Sequence, residues 1–446
     1  MRNLTLAAIL TVATNLLGCG GLRVTTTPPP DAGQVNHIIY MLQENRSFDQ
    51  YFGSLNAYRQ SLGLSTDVDV TPPTASQLSY DHTFTFTPFH MNSMCMEDLS
   101  AYWNEGHNAW NHSDHTSATP TMDGFANAAG GDSRASGGFD INGQRVMGYY
   151  TDQDLPYYYF MATQFAMSDR WFSPAMTNTP ANRMYAVAAT SQGVIDKPAT
   201  QLTADTIFDE LQAAGISWKN YVPNFPNGSS LKAFPAFAKY LNTNIAPMDQ
   251  YFTDLKNGTL PQVVFIDRDS QNGLDEHPGP GGHVQEGAAY VKSIIDALMN
   301  SSAWKDSVFF LTFDEAGGLF DHVPPVQTVS PDGIKPIFGA NDTCTTGNSS
   351  AGGPLDMCDF DVTGFRLPNF VVSPFAKPHY VDHQNIDTTA ILKFIETRFK
   401  LEPLTKRDAA QPDISGMFDF TTSPNLSPPT PPSQPTGGAC YVNSLP

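Results

Sequence analysis

Four stretches of the chain are almost wholly apolar and end abruptly in polar residues: His37 to Leu42, Gln262 to Asp267, Ser307 to Phe313 and Asn369 to Ser373. Short apolar runs without alternation are the pattern of strands buried on both faces, as in a parallel sheet. Between them apolar positions recur at helical spacing. Ile207, Phe208 and Leu211 mark a helix over Thr206 to Ala214. Ala288, Val291, Ile294, Ile295 and Leu298 mark another over Gly287 to Met299. Ile391, Leu392, Ile395 and Phe399 mark a third over Asp387 to Phe399, opened by the capping-type run Asp387-Thr388-Thr389. Alternating strands and helices predict an α/β sheet with helices on both faces.

The residues that follow the strands bring in chemistry. The first strand runs into Gln43-Glu44-Asn45, the second into Asp267-Arg268-Asp269 and the third into Asp314-Glu315. Ligands of open parallel sheets sit beyond the carboxyl ends of the strands. One carboxylate there is commonly a helix cap. Two adjacent pairs of oxygen donors, Glu44-Asn45 and Asp314-Glu315, instead suggest a hard divalent cation.

Composition limits the partners. The 446-residue chain carries a formal net charge of -20, which disfavours nucleic acid and anionic lipid surfaces at long range. A phosphate substrate stays open if a cation reverses the field inside a pocket. Arg2, the apolar run Leu4 to Leu17 and Leu16-Leu17-Gly18-Cys19 form a signal peptide whose ending resembles a bacterial lipobox, with a lipid anchor expected on Cys19. Residues 20–34 are expected to be a flexible tether, 35–420 one catalytic domain, and 421–446 a Pro/Ser-rich tail. Without Cys19, the cysteines Cys95, Cys344, Cys358 and Cys440 allow two disulfides in three pairings. Cys344 and Cys358 flank a Gly/Ser-rich loop and look like a local pair.

Glu44-Asn45-Arg46-Ser47-Phe48-Asp49 and Asp314-Glu315-Ala316-Gly317-Gly318-Leu319-Phe320-Asp321-His322-Val323-Pro324-Pro325 resemble two signatures of the phosphoesterase family of bacterial phospholipases C and acid phosphatases. Met122-Asp123-Gly124-Phe125, Thr179-Pro180-Ala181-Asn182-Arg183 and Glu276-His277-Pro278 occur in that family's order. The resemblance implies an alkaline-phosphatase-like three-layer α/β/α sandwich with a loop-rich cap, hydrolysing phospholipid or soluble phosphate esters through a phosphothreonine. It implies one divalent metal on Glu44, Asn45, Asp314 and Glu315, with Thr179 as nucleophile. Pro180 comes one residue earlier than the family pattern, so Thr177 is the alternative nucleophile.

Among the histidines, suited to acid–base work near neutral pH, His322 is expected to act at the metal site and His277 to bind phosphate or transfer a proton. A bend at Gly317-Gly318 is expected to fold His322 over the metal. His107 and Asn182 are expected at the substrate, with His112 or His115 as substitutes for His107, and His383 as a supporting residue. Arg46 is expected to pair with Asp49 or a strand end. The aromatic run Tyr157 to Phe160 reads as core, and Glu97-Asp98-Leu99-Ser100 has no assigned role. A binding module that kept the fold without catalysis would lack the ligands or the nucleophile. Sulfate-ester hydrolysis needs a formylglycine motif not seen around Thr179, and phosphate-group transfer on the same fold remains a further alternative.

Overall fold

The apolar run at His37 forms the middle of a six-stranded sheet in the computed structural model of the protein, which describes residues 32–279, 281–345 and 356–444. The strands are β1 (His37–Gln43), β2 (Trp218–Val222), β3 (Ile245–Pro247), β4 (Val263–Ile266), β5 (Ser307–Phe313) and β6 (Phe370–Val372). Their spatial order is β6-β5-β1-β4-β2-β3. All neighbours are parallel except β5 and β6, which pair antiparallel. The expectation of a parallel strand at Asn369 to Ser373 is therefore corrected. The run is a strand, but it returns along the sheet edge in the opposite direction.

Side-chain alternation sends one set of residues to each face of the sheet. Tyr40 stands in register with Phe265 and Phe310. On that face pack α5 (Thr179–Ala188), α6 (Ile207–Ala213) and α9 (Ala390–Phe399), through Tyr40 to Ala186, Phe208 to Phe265, and Phe310 to Phe394. The opposite face carries α4 (Pro156–Gln164), α7 (Asp249–Asn257) and α8 (Val284–Met299). There Tyr221 meets Tyr251, whose hydroxyl donates to the Ile294 carbonyl. The result is a three-layer α/β/α sandwich around one continuous apolar core.

The helices expected from periodicity form within three residues of their predicted bounds. A capping box between Thr206 and Asp209 starts α6. Asp387 accepts from the backbone and hydroxyl of Thr389 just before α9. The helices α1 (Phe48–Phe52), α2 (Trp103–Trp110) and α3 (Phe125–Ser136) lie outside the alternating pattern, and α1 is buried throughout its length.

Cys95 is bonded to Cys440 and Cys344 to Cys358. The expected signal peptide, Cys19 anchor and most of the tether lie outside the described residues, and Ala32–Gln34 form a short turn of 3-10 helix. No helix among the described residues is long and apolar enough to cross a membrane. The Pro-rich tail builds no core, yet it is fastened along its length. Asn425 bonds Pro374 and Trp304, Gln434 bonds Asp154, Gly438 bonds Gln285, and Ala439 accepts from Met94.

Candidate active site

Three adjacent parallel strands, β5, β1 and β4, deliver the polar groups the sequence places at their ends. Gln43 closes β1, and the chain turns at Asn45, whose φ of 59° is a left-handed conformation that Asn tolerates better than most residues. This turn aims the Asn45 amide across the sheet end. Thr179 Oγ1 donates to Asn45 Oδ1 at 3.0 Å, and Asn45 Nδ2 lies 2.9 Å from His277 Nε2. The other ring nitrogen of His277 faces the Pro278 carbonyl. These partners assign Nδ1–H as donor and Nε2 as acceptor.

Thr179 is the first residue of α5 and Pro180 the second. The early proline is thus accommodated, because N–H groups in the first turn have no helical partner to lose. Thr177 faces elsewhere: its buried hydroxyl donates to the Ile195 carbonyl at 2.5 Å. Of the two threonines, only Thr179 lines the cavity of about 220 Å³ shared with Glu44, Asn45, Asp98, Lys197, Arg268, His277 and Glu315.

The acidic groups are packed tightly and buried. Arg183 Nε donates to Asp314 Oδ2 at 2.9 Å and to Glu44 Oε1 at 3.3 Å, while its Nη2 bonds the Leu42 carbonyl. Arg268 also meets Glu44. Burial pushes the Asp314 carboxyl up to about 6, with Arg183 opposing and Glu44 adding to the rise. Burial, then Asp314, pushes Glu315 well above the usual carboxylate range. Glu315 Oε2 accepts from the Gly317 amide at 2.5 Å, but its buried Oε1 has no partner among the described residues. Gly317, at φ 69°, passes so close that a Cβ there would meet the Asn45 carbonyl at 2.3 Å.

The donor chemistry of this set suits a divalent metal, but the group with ligand spacing among the described residues is Asp49, Asp321 and His322, not these carboxylates. Glu44, Asp314 and Glu315 offer carboxylate oxygens and Asn45 an amide oxygen, and one buried carboxylate oxygen is unpaired. A cation held there would favour the ionised forms of Asp314 and Glu315, which burial now disfavours.

Three expected site residues are placed elsewhere. His107 is buried with Nδ1 on the Trp103 carbonyl at 2.7 Å and Nε2 on the Met357 carbonyl at 2.6 Å, so the expectation that it binds substrate is corrected. Burial lowers its pKa. Neither His112 nor His115 lines the cavity in its place. Asn182 is also corrected. Its amide oxygen accepts from Ala175, and its amide nitrogen donates to the carbonyls of Ala175, Thr177 and Asn178. It holds the loop before Thr179 and has no donor left for substrate.

His322 belongs to a second polar group. Its Nδ1 lies 2.8 Å from Asp49 and its Nε2 3.1 Å from Asp69. The bend at Gly317-Gly318 carries it to these partners, not over the metal ligands. Buried Arg366 donates to Asp49 and Asp321 in the same group. Ligand atoms of Asp49, Asp321 and His322 lie within 4.8 Å of one another, a spacing a cation could use, but Arg366 already supplies positive charge there. His383 sits nearby on Asp169. Arg46 pairs neither with Asp49 nor with a strand end. It grips the Glu276 carbonyl and contacts Gln50 and Met96.

Arg183 and Arg268 are the groups that sequence reasoning passed over as site residues. Arg268 lies two residues past β4, next to Asp267, which holds the position from which Glu44 and Asp314 were read. Glu97 acquires a structural role, bonding Arg145 at 2.8 Å, while neighbouring Asp98 lines the cavity.

The Phosphoesterase family model matches residues 35–402. Phospholipase C B of Mycobacterium tuberculosis is 28% identical over 465 residues, spanning 94% of this chain and 83% of that protein. Non-specific phospholipase C1 of Arabidopsis thaliana is 28% identical, spanning 88% of this chain and 72% of its own length. A solved protein of the alkaline phosphatase superfamily from Vibrio parahaemolyticus aligns with 81% of this chain and 78% of its own, at 12% identity and a TM-score of 0.37. With the family match running from β1 to the residues just past α9 and enclosing every group around Thr179, the chain belongs to the Phosphoesterase family and is a phosphoric ester hydrolase.

Proposed function

We propose that the chain is an exported, metal-dependent hydrolase of phosphate esters of the phospholipase C type, with Thr179 as the nucleophile. The observation that carries this reading is the position of Thr179 Oγ1. It starts a ten-residue helix, touches Asn45 at 3.0 Å and opens into the cavity shared with Glu44, Glu315 and His277. The relatives named phospholipase C support the ester class. The two disulfides suit an oxidising compartment, which supports export.

A divalent ion held by Glu44, Asn45, Asp314 and Glu315 would supply charge for the phosphoryl oxygens and acidify the Thr179 hydroxyl. The positive end of α5 favours the same anionic group. Attack forms the bond from Thr179 Oγ1 to phosphorus and breaks the bond from phosphorus to the leaving alcohol. The threonine proton returns through His277 to the departing oxygen. A water then gives a proton to His277 as it attacks phosphorus, and Thr179 recovers that proton as its own bond to phosphorus breaks. Arg183 keeps Glu44 and Asp314 apart in orientation and partly neutralised. Lys197 and Arg268 add positive charge at the cavity wall.

The test uses the purified protein with p-nitrophenyl phosphorylcholine and p-nitrophenyl phosphate. Turnover of the diester, lost on chelation and restored by one divalent ion, is expected. No turnover of either ester with any divalent ion added would remove the proposal. Preference for the monoester would assign a phosphatase.

A further inference from the structure

The orientation of His277 is not set by its own ring contacts alone. About a third of the side chain is exposed, and its neighbours are Asn45, the Pro278 carbonyl and, at 3.9 Å, Asp98. The residue before it is tied down far more heavily. Glu276 has a φ of 69°, a left-handed backbone that only surrounding structure can maintain in a residue with a Cβ. Its carbonyl accepts two bonds from Arg46, at 2.8 and 2.5 Å.

Its carboxylate points away from the cavity into the protein. Oε2 accepts from the Tyr51 hydroxyl at 2.5 Å, and Oε1 accepts from Gln43 at 3.0 Å and from the Tyr158 hydroxyl. The donors come from β1, α1 and α4, so one side chain joins the end of a central strand to two helices. Glu276 is fully buried and lines neither cavity that His277 lines. Burial pushes its carboxyl up to about 7, while the three side-chain donors and Arg46 pull it back. A buried carboxylate served mainly by neutral donors is a poor way to stabilise a fold. It is an effective way to hold a backbone carbonyl and a left-handed turn in one place.

We infer that Glu276 is a positioning residue for phosphoester hydrolysis: anchored by Tyr51, Tyr158 and Gln43, it fixes the turn that presents His277 to Asn45 and to the leaving oxygen. The inference rests on the proposed role of His277 as the group that returns a proton to that oxygen. It also gives Tyr158, within a run of aromatic residues, a use beyond packing.

The leaving group provides the test. A nitrophenolate departs without a proton, whereas an alkoxide needs one. Glu276→Gln keeps the size of the side chain, and Tyr158→Phe removes one anchor. Each is expected to lower kcat about tenfold on an alkyl phosphodiester, but less than threefold on p-nitrophenyl phosphorylcholine, with KM changed little on either. His277→Ala should show the same leaving-group dependence more strongly, and adding Glu276→Gln to it should cost nothing further. A merely structural role would reduce both substrates in proportion to the folded fraction, which circular dichroism measures separately. Equal losses in Glu276→Gln, with the dependence intact in His277→Ala, would overturn the inference alone. If His277→Ala shows no leaving-group dependence, the reading of His277 falls and takes this inference with it.

Discussion

Thr179 Oγ1 donates to Asn45 Oδ1 at 3.0 Å, joining the first residue of a helix on one face of the sheet to the turn that ends the central strand. The two residues lie 134 positions apart, and the contact selects between two neighbouring threonines. Thr179→Ala is expected to lower kcat by about 10³-fold or more while leaving the melting temperature nearly unchanged, because the hydroxyl bonds only at the cavity. Thr177→Ala removes a buried bond to the Ile195 carbonyl, so it should cost about 1 kcal/mol of stability and leave kcat within a few-fold. Steady-state assays alongside thermal unfolding of both variants check this. A larger kinetic loss in Thr177→Ala would exchange the assignments.

Metal removal should be visible without any substrate. The unpaired Glu315 Oε1 and the crowded carboxylates of Glu44 and Asp314 are groups that a bound cation would satisfy. At a hundredfold excess over its dissociation constant, one ion adds about 2.7 kcal/mol to folding stability. Chelation should therefore lower the melting temperature as well as stop turnover, and Glu315→Gln should shrink the thermal shift. A melting temperature that ignores chelator and added ions alike would refute the cation site.

The polar end of the sheet was legible because doubly buried strands write themselves as apolar runs, and the polar residues just beyond them stand out. That is why Glu44-Asn45 and Asp314-Glu315 can be paired from the sequence. Strands β2 and β3 were not legible, since β2 carries Lys219 and Asn220, and buried Asn220 is there to bond Asp267. Strand direction was hidden as well, because an apolar run such as Phe370–Val372 reads alike either way along the sheet. His107 and Asn182 misled for a different reason. A polar residue satisfied by backbone carbonyls looks the same in sequence as one that waits for substrate. His322 could not be placed because its partners Asp49 and Asp69 lie 273 and 253 residues away.

Far from the cavity, Glu396 on α9 provides a pH-dependent test of stability. Burial, then Asp408 beside it, raises its carboxyl to about 9 from an ordinary value of 4.5. The folded state therefore keeps a proton that the unfolded chain releases near pH 4.5. Between about pH 4.5 and 9 the folded state binds more protons, so stability falls as pH rises across that window. Glu396→Gln mimics the protonated form and should stabilise the protein by on the order of 1–3 kcal/mol near pH 8, with little change near pH 4. Denaturant unfolding at both pH values checks this, and an equal effect at the two would refute the shared burial argument.

The Cys95–Cys440 bond closes a loop of 345 residues and holds the tail against the segment that leads to Asp98 at the cavity wall. Met94 donates to Ala439 and Tyr441 donates to Ser93, so the tail is stitched on both sides of the bond. Losing so long a cross-link is expected to cost about 2–5 kcal/mol. The Cys344–Cys358 bond spans only 14 residues and should cost about 3 kcal/mol or less on the same reasoning. Cys440→Ser, paired with Cys95→Ser to avoid a free thiol, should therefore lower the melting temperature more than the double replacement at Cys344 and Cys358. It should also raise KM, since the Met94 to Asp98 segment loses its covalent anchor beside the substrate. Equal melting temperatures for the two double variants would show that the tail is held by its hydrogen bonds and not by the long-range bridge.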